Sequence, residues 1–355
     1  MSYILTINPG STSTKIAVFE DEKQIFIKNI KHSAEEIGKF HNVASQFEFR
    51  KNIIVKELEE AGYELNLFDI VVGRGGLVRP ISSGIYEVNA AMLKDLENPV
   101  MGEHASNLGG IIAHDIACDI AKGVKAYITN PVVVDELEPI ARISGHPAIE
   151  RTSIFHALNQ KAIAMTYAEE TGKKYEDLNL IVAHLGGGIS VGAHKGGRVI
   201  DVNNALDGEG AFSPERSGGL PCGALVDLCF SGKKNREEIK KMLVGGGGSV
   251  AYLGTNDAYE VEKKAEKDPR YALIQEAMCY QIAKQIGEMA TVLKGKVDAI
   301  LITGGMARGK AITDSITEKT DFIAPVKVYP GEDEMGALAK NGLKVLRGEM
   351  QPKVY

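Results

Sequence analysis

Two stretches of this 355-residue chain share one layout, and that repetition constrains the fold more than any other feature. Near the N-terminus, "LTINPGSTSTKIAVFE" (residues 5–20) is an apolar run, a burst of small polar residues with one lysine, then a second apolar run. Tyr3 to Ile7 and Lys15 to Phe19 carry the alternation and β-branching of strands, and Gln24 to Lys28 follows after a turn holding Asp21 and Glu22. In mid-chain, "LIVAHLGGGISVGAHKGGRVID" (180–201) repeats the scheme: a strand ending at His184, a glycine turn, a strand over Ile189 to His194, a "KGG" turn and a third strand, Arg198 to Asp201. The length prior is about two domains. Two meanders of one design then predict a duplicated fold of two similar domains facing each other.

The rest of the chain fills in layers. Helical spacing occurs at Ser45 to Ala61, Ala105 to Lys122, Asp135 to Ile143, Ser153 to Glu170, Asp268 to Leu293 and Glu334 to Leu346. The long fifth segment is amphipathic, with Leu273, Ala277, Ile282, Ile286, Met289 and Leu293 expected on its buried face. Strands are expected within 69–76, 124–130, 297–304 and 322–330. Strands alternating with helices indicate α/β layers. The expected domains are 1–165 with 334–355, and 166–333.

Composition excludes several classes. A net charge of −6 gives no reason to expect nucleic acid or a membrane surface as partner. No window reaches 18 consecutive apolar residues. The opening "MSYILTINPG" has no basic n-region and reads as a first strand. The cysteines Cys118, Cys222, Cys229 and Cys279 form no CxxC pair; each reads as a small buried hydrophobe in a reducing cytosol.

Three turns stand out as binding elements. Between the first two strands lie Asn8, Gly10, Ser11, Thr12, Ser13, Thr14 and Lys15, which combine turn N–H groups, hydroxyls and one cation, a phosphate cradle. This is no Walker A loop, because Thr14 and not glycine precedes Lys15, and a strand follows. In "HLGGGIS", Gly186, Gly187 and Gly188 follow a buried strand, where glycine weakens packing unless backbone must come close to something. "TGGMARG" places Gly304, Gly305 and Met306 between a strand and a helix start, where a flat ligand can lie against backbone. Together they suggest one nucleotide gripped from both domains. "VGRGGLV" lacks the spacing of a dinucleotide fingerprint.

These segments resemble the phosphate-1, phosphate-2 and adenosine motifs of the acetate and sugar kinase/Hsp70/actin superfamily. More closely, the chain resembles the short-chain carboxylate kinases of the acetokinase family, with the likeness strongest to members acting on butyrate. The carrying segments are "INPGSTSTKIAVFE", "VVGRGGLVRPISSG", "PVVVDELEPIARISGHPAIERTSIFHALNQKA", "HLGGGISVGAHKGGRVIDVNNALDGEGAFSPERSGGLP" and "LITGGMARGK", which span nearly the whole length. The resemblance implies domains of the ribonuclease H-like/actin-like ATPase type, each a mixed β-sheet with flanking helices, with nucleotide in the interdomain cleft. It implies reversible phosphoryl transfer from ATP, with Mg²⁺, to butyrate, or to acetate, propionate or a branched acid. It also implies a cytoplasmic homo-oligomer of at least two chains. The reading from another class is an actin/Hsp70-like ATPase that binds or assembles. It would leave the arginines below with no carboxylate to neutralise.

A fatty carboxylate titrates near about 4.3, so it arrives ionised and needs no strong base. It needs relief from repulsion as it meets a phosphate, hence cations and donors. By resemblance, Arg74 and Arg216 stand beside carboxylate and phosphoryl group, and an arginine fork suits both. His184 would donate to a γ-phosphoryl oxygen. Asn8 and Glu334 would hold Mg²⁺, directly or through water, and Asp135 would orient the complex. Three alternatives stay open. The segment around Arg74 lacks the family's flanking histidines, which leaves Arg79 in contention. Asp135 lies several residues beyond the strand ending at Asn130. Glu332 competes with Glu334. His146 and His156 read as packing or capping residues.

Overall fold

The first meander forms where alternation predicts it. In the computed structural model, which describes residues 1–98 and 100–355, β1 (Tyr3–Pro9), β2 (Ser13–Glu20) and β3 (Lys23–Lys31) pair antiparallel in sequence order. β4 (Ile70–Arg74), β5 (Ile85–Glu87) and β6 (Ala126–Thr129) complete a sheet of order β3-β2-β1-β4-β6-β5. β1, β4 and β6 run parallel. Parallel strands need both faces covered, and Ile4, Leu5, Ile70, Val71 and Val72 are all buried. Leu5, Ile7 and Val71 face a core shared with the helices Phe47–Glu60 and Asn107–Asp119. Ile4, Ile70 and Val72 meet the backbone of Gly342 in the last helix, Glu334–Leu346.

The second meander repeats the plan. β7 (Asn179–Leu185), β8 (Ile189–Lys195) and β9 (Arg198–Val202) are antiparallel neighbours, and β10 (Ala299–Gly304) and β11 (Val326–Pro330) extend the sheet in parallel from β7. The order β9-β8-β7-β10-β11 reproduces β3-β2-β1-β4-β6 in sequence and sense. The predicted duplication is therefore present as topology.

The chain divides into two compact units, Met1–Val134 with Asp333–Tyr355, and Asp135–Glu332. The expected boundary at 165/166 falls inside the helix Ala157–Thr171. That helix belongs with the second unit because Ala164 and Ala168 pack on Leu180 and Val182 of β7.

Local expectations fail where a specific residue intervenes. Of 135–143, only Pro139–Arg142 is helical, since Glu138 before the proline is held extended (ψ 149°). The helix expected from Ser153 starts at Ala157. In the helix Pro269–Val292, Leu273 is 67% exposed while Ile282, Ile286 and Met289 are buried. At about 100° per residue Leu273 points away from Ile282, and Met278 and Cys279 take the core positions. The cysteine reading holds only for Cys279; Cys118, Cys222 and Cys229 are exposed, two of them on the helix Cys222–Phe230, which buries no residue. Among the described residues, no helix is long and apolar enough to cross a membrane.

A polar seam runs through the core of the second unit. Lys161 Nζ meets Glu136 Oε2 at 2.8 Å, and that oxygen also accepts from Val199 N at 3.0 Å. Beside it, Tyr175 OH lies 2.7 Å from His194 Nδ1, and His194 Nε2 lies 2.9 Å from Gln160 Oε1. Burial, reinforced by the Lys161 ammonium, pushes His194 down to about 3. An unfolded histidine titrates near about 6.5. Between these values the unfolded chain binds a proton that the folded chain refuses. Stability is thus complete above the unfolded value and is lost as pH falls, by about 1.4 kcal/mol per pH unit. We expect denaturant unfolding to show this loss, and His194→Gln, which keeps a donor and an acceptor, to remove that share of the slope. An unchanged slope in the variant would place the proton uptake elsewhere.

Candidate active site

In the first unit, parallel pairing puts the carboxyl ends of β1 and β4 side by side, with Ile7 opposite Gly73. Asn8 and Arg74 therefore emerge together. Glu334, the first residue of the last helix, meets both. Arg74 Nη1 lies 2.5 Å from Glu334 Oε1, Asn8 Nδ2 donates to Glu334 Oε2 at 2.5 Å, and Arg74 Nη1 lies 3.5 Å from Asn8 Oδ1. The turn Gly10–Ser13 sits next to this group, closed by a bond from Gly10 N to Ser13 O of 2.7 Å. Ser11 and Thr12 are exposed, Ser13 is half-buried, and Lys15 pairs with Asn8 across β1 and β2. One carboxylate and one amide oxygen suit a small hard cation that keeps most of its waters. No group of three or more His, Cys, Asp or Glu side chains assembles among the described residues. A cation held by Glu334 and Asn8 would take its other ligands from water and substrate phosphates.

In the second unit, His184 is the last residue but one of β7 and is buried. Its ring stacks on His156 with centroids 4.0 Å apart and planes 21° from parallel. His184 Nε2 lies 3.5 Å from Glu332 Oε2, an oxygen that also accepts from Asn159 Nδ2 at 3.1 Å. The turn Gly186–Gly188 then folds back, with Gly186 N donating to Gly188 O at 3.0 Å. A Cβ at Gly188 would stand 2.0 Å from Arg216 Nη1, so a side chain there would have to displace the guanidinium. The guanidinium thus lies close against the turn. It is fixed by a bond from Nη1 to Ala205 O of 2.6 Å, while its backbone N donates to Ser213 Oγ at 3.1 Å. Ser213 Oγ in turn donates to Gly187 O at 2.6 Å and joins the two loops. Burial lowers the Arg216 pKa, against the opposing pull of Glu215, yet a guanidinium remains charged. At the end of β10, Gly304 has φ +98°, and a Cβ would meet Leu185 O at 2.3 Å, so the strands close up only with glycine. Gly305 has open space around it, and the Met306 side chain is buried in the core.

The residues in contention have different surroundings. Glu334 joins Asn8 and Arg74, whereas Glu332 joins His184 and Asn159. Arg79 turns elsewhere: its Nε lies 2.6 Å from Asp95 Oδ2, and its guanidinium sits over the Tyr355 ring at 5.2 Å. Asp135 is held by both arms of Arg142, at 2.6 and 2.7 Å, and bonds to neither residue set among the described residues. His146 lies in an exposed loop, its Nδ1 accepting from Ala148 N at 3.1 Å. His156 sits at the N-cap of Ala157–Thr171, where its Nδ1 lies 2.8 Å from Ser190 Oγ. Sequence reading missed the support given by Ser190, Ser213 and Arg50. Arg50 alone left a signal, a charged residue in one stripe with Ile54 and Leu58.

Comparison with known proteins places this geometry in context. Residues 148–328 match the acetokinase family. The chain is 60% identical to butyrate kinase 2 of Clostridium acetobutylicum over 353 residues, 99% of each chain. It is 59% identical to butyrate kinase 1 of the same organism over 356 residues, 100% of each. Among solved structures, the acetate kinase of Porphyromonas gingivalis aligns with TM-score 0.78 at 18% identity, covering 98% of this chain and 100% of that one. A propionate kinase from Francisella tularensis subsp. tularensis aligns with TM-score 0.74 at 19% identity, covering 96% and 99%. The two mixed sheets with flanking helices are thus the fold of acetate kinase, and the chain belongs to the acetokinase family.

Proposed function

We propose that this chain transfers the γ-phosphoryl group of ATP to butyrate, reversibly, giving butanoyl phosphate and ADP. The observation that carries the reading is the identity of 60% with a butyrate kinase along 99% of both chains. The site geometry supports it. A carboxylate oxygen forms the new bond to phosphorus, the bond from γ-phosphorus to the bridging oxygen breaks, and ADP leaves with the electron pair. No proton has to move, so the residues required are cations and donors. Arg216, fixed against the Gly186–Gly188 turn, and His184 at the strand end would bear on the charge of the transferring group. Arg74 would neutralise the incoming carboxylate, and the turn Gly10–Ser13 with Lys15 would take nucleotide phosphate. Glu334 and Asn8 would hold Mg²⁺, which when bound neutralises phosphate charge. Gly304, Gly305 and the Met306 backbone would lie along the adenosine. Asp135, paired with Arg142, would act by holding its loop in place.

We also propose that the chain works in the cytoplasm as a homo-oligomer of at least two copies. Three exposed free thiols suit a reducing compartment. The helix Cys222–Phe230 leaves Val226 at 53% and Phe230 at 87% exposure, which favours a second copy as its cover.

Purified protein with ATP, Mg²⁺, butyrate and hydroxylamine should form hydroxamate. Across straight-chain acids from two carbons upward, specificity should peak at four carbons, each CH₂ up to that length contributing about 0.8 kcal/mol, or roughly fourfold. No product with any acid of the series would refute the kinase reading. Arg216→Ala should lower kcat by about a hundredfold or more while nucleotide binding persists, and Gly188→Ala should do the same by displacing the guanidinium. Unimpaired turnover in both would remove Arg216 from the chemistry. Light scattering should find a dimer or larger, reduced towards monomer by Val226→Glu with Phe230→Glu; a native monomer would refute self-association.

A further inference from the structure

Arg50 is a buried guanidinium without a counter-ion among the described residues. It projects from the buried stripe of the helix Phe47–Glu60 and is 1% exposed. Its donors go to neutral oxygens. Nη1 donates to Gly10 O at 2.8 Å, Ser13 O at 3.1 Å and Thr14 Oγ1 at 3.0 Å, and Nη2 donates to Ser11 O at 3.2 Å. Nε and Nη2 both donate to Gln46 Oε1, at 3.0 and 2.9 Å. No carboxylate among the described residues lies within ion-pair distance. His32 shares Thr14 Oγ1 with Arg50, its Nε2 lying 2.8 Å from that oxygen. Burial and the Arg50 charge, against the weaker opposing pull of Glu36, lower the pKa of that imidazole, so it brings no negative charge to offset Arg50.

An unpaired buried charge is costly, and neutral donors would serve if holding the turn were the whole task. The backbone shows where the charge is directed. The carbonyls of Gly10, Ser11 and Ser13 all turn in towards the guanidinium. In planar trans peptides, the N–H groups of Ser11 and Thr12 then point the opposite way. Both residues are exposed, and neither N–H donates to a described residue. The turn is a polarised plate, with a cation behind it and free donors in front, which is an anion-binding arrangement.

We propose that Arg50 is a built-in positive charge beneath the phosphate hairpin, a positioning residue that draws nucleotide polyphosphate to the Ser11 and Thr12 N–H groups without touching it. This rests on the reading above that the hairpin takes nucleotide phosphate. The test is calorimetric binding of ATP, ADP and AMP to the full chain, native, Gln46→Glu and Arg50→Met. Gln46→Glu sets a carboxylate where Gln46 Oε1 already meets Arg50, cancelling the charge while keeping the hydrogen bonds. ATP affinity should fall about tenfold to a hundredfold, and AMP affinity by no more than about threefold, as a screened charge acting across one turn requires. Arg50→Met should move the same ratio, and if it does not fold, Gln46→Glu decides alone. A native ratio of ATP to AMP affinity in Gln46→Glu would overturn the role of Arg50 and leave the kinase reading intact. A native protein that binds no nucleotide would overturn both.

Discussion

The parallel pairing at the centre of each sheet is the constraint on which the site depends. β1 lies against β4, and β7 against β10, each with the same sense. Parallel neighbours bring their carboxyl ends to one edge, so the chain must turn there, and ligands in open α/β sheets bind beside such ends. Asn8 and Arg74 leave neighbouring strand ends in the first unit. In the second unit His184 stands opposite Thr303, and the Gly186 and Gly304 turns begin side by side. The same pairing demands apolar residues on both faces of the central strands, which is why the candidate residues gather at the strand ends and in the turns and helix start beside them.

Within those turns, glycine and arginine are complementary. Gly188 has no side chain so that a guanidinium can lie on the backbone, and the carbonyls at positions 10, 11 and 13 face a second guanidinium from behind. The protein carries a net charge of −6, yet it must handle two anionic substrates if it is a carboxylate kinase. Placing single arginines against backbone supplies positive charge locally, where low dielectric strengthens it, without altering the overall balance. Glu334 tempers this by pairing with Arg74, and a cation shared with phosphate would compete for that carboxylate.

Legibility followed periodicity. The meanders, the parallel strands and the final helix could be read because alternation and helical spacing survive in the sequence as burial patterns. The glycine turns could be read because glycine after a buried strand needs a reason. Leu273 failed because, nine residues before Ile282, it stands about half a turn round the helix from the buried stripe. The stretch 135–143 failed because Pro139 and the side chain of Asp135, which accepts from Leu137 N, settle the backbone locally. Choosing between Glu332 and Glu334 was beyond any spacing rule. Two residues apart, they end with different partners, because the chain enters a helix between them at the Asp333 cap.

By itself, the sequence determined the α/β class, the duplicated meander, the three turns and the residue types that suit phosphoryl chemistry, since these depend on local periodicity and on backbone freedom. Only the tertiary structure decided that Arg79 and Asp135 are occupied by Asp95 and Arg142. It alone seated Arg216 on Gly188 and stacked His156 on His184. It alone revealed Arg50 beneath a turn some forty positions away in the chain. Apart from Asp135 and Arg142, seven positions apart, these are contacts between residues well separated in sequence, and charge partners are assigned by folded distance, which no local pattern encodes.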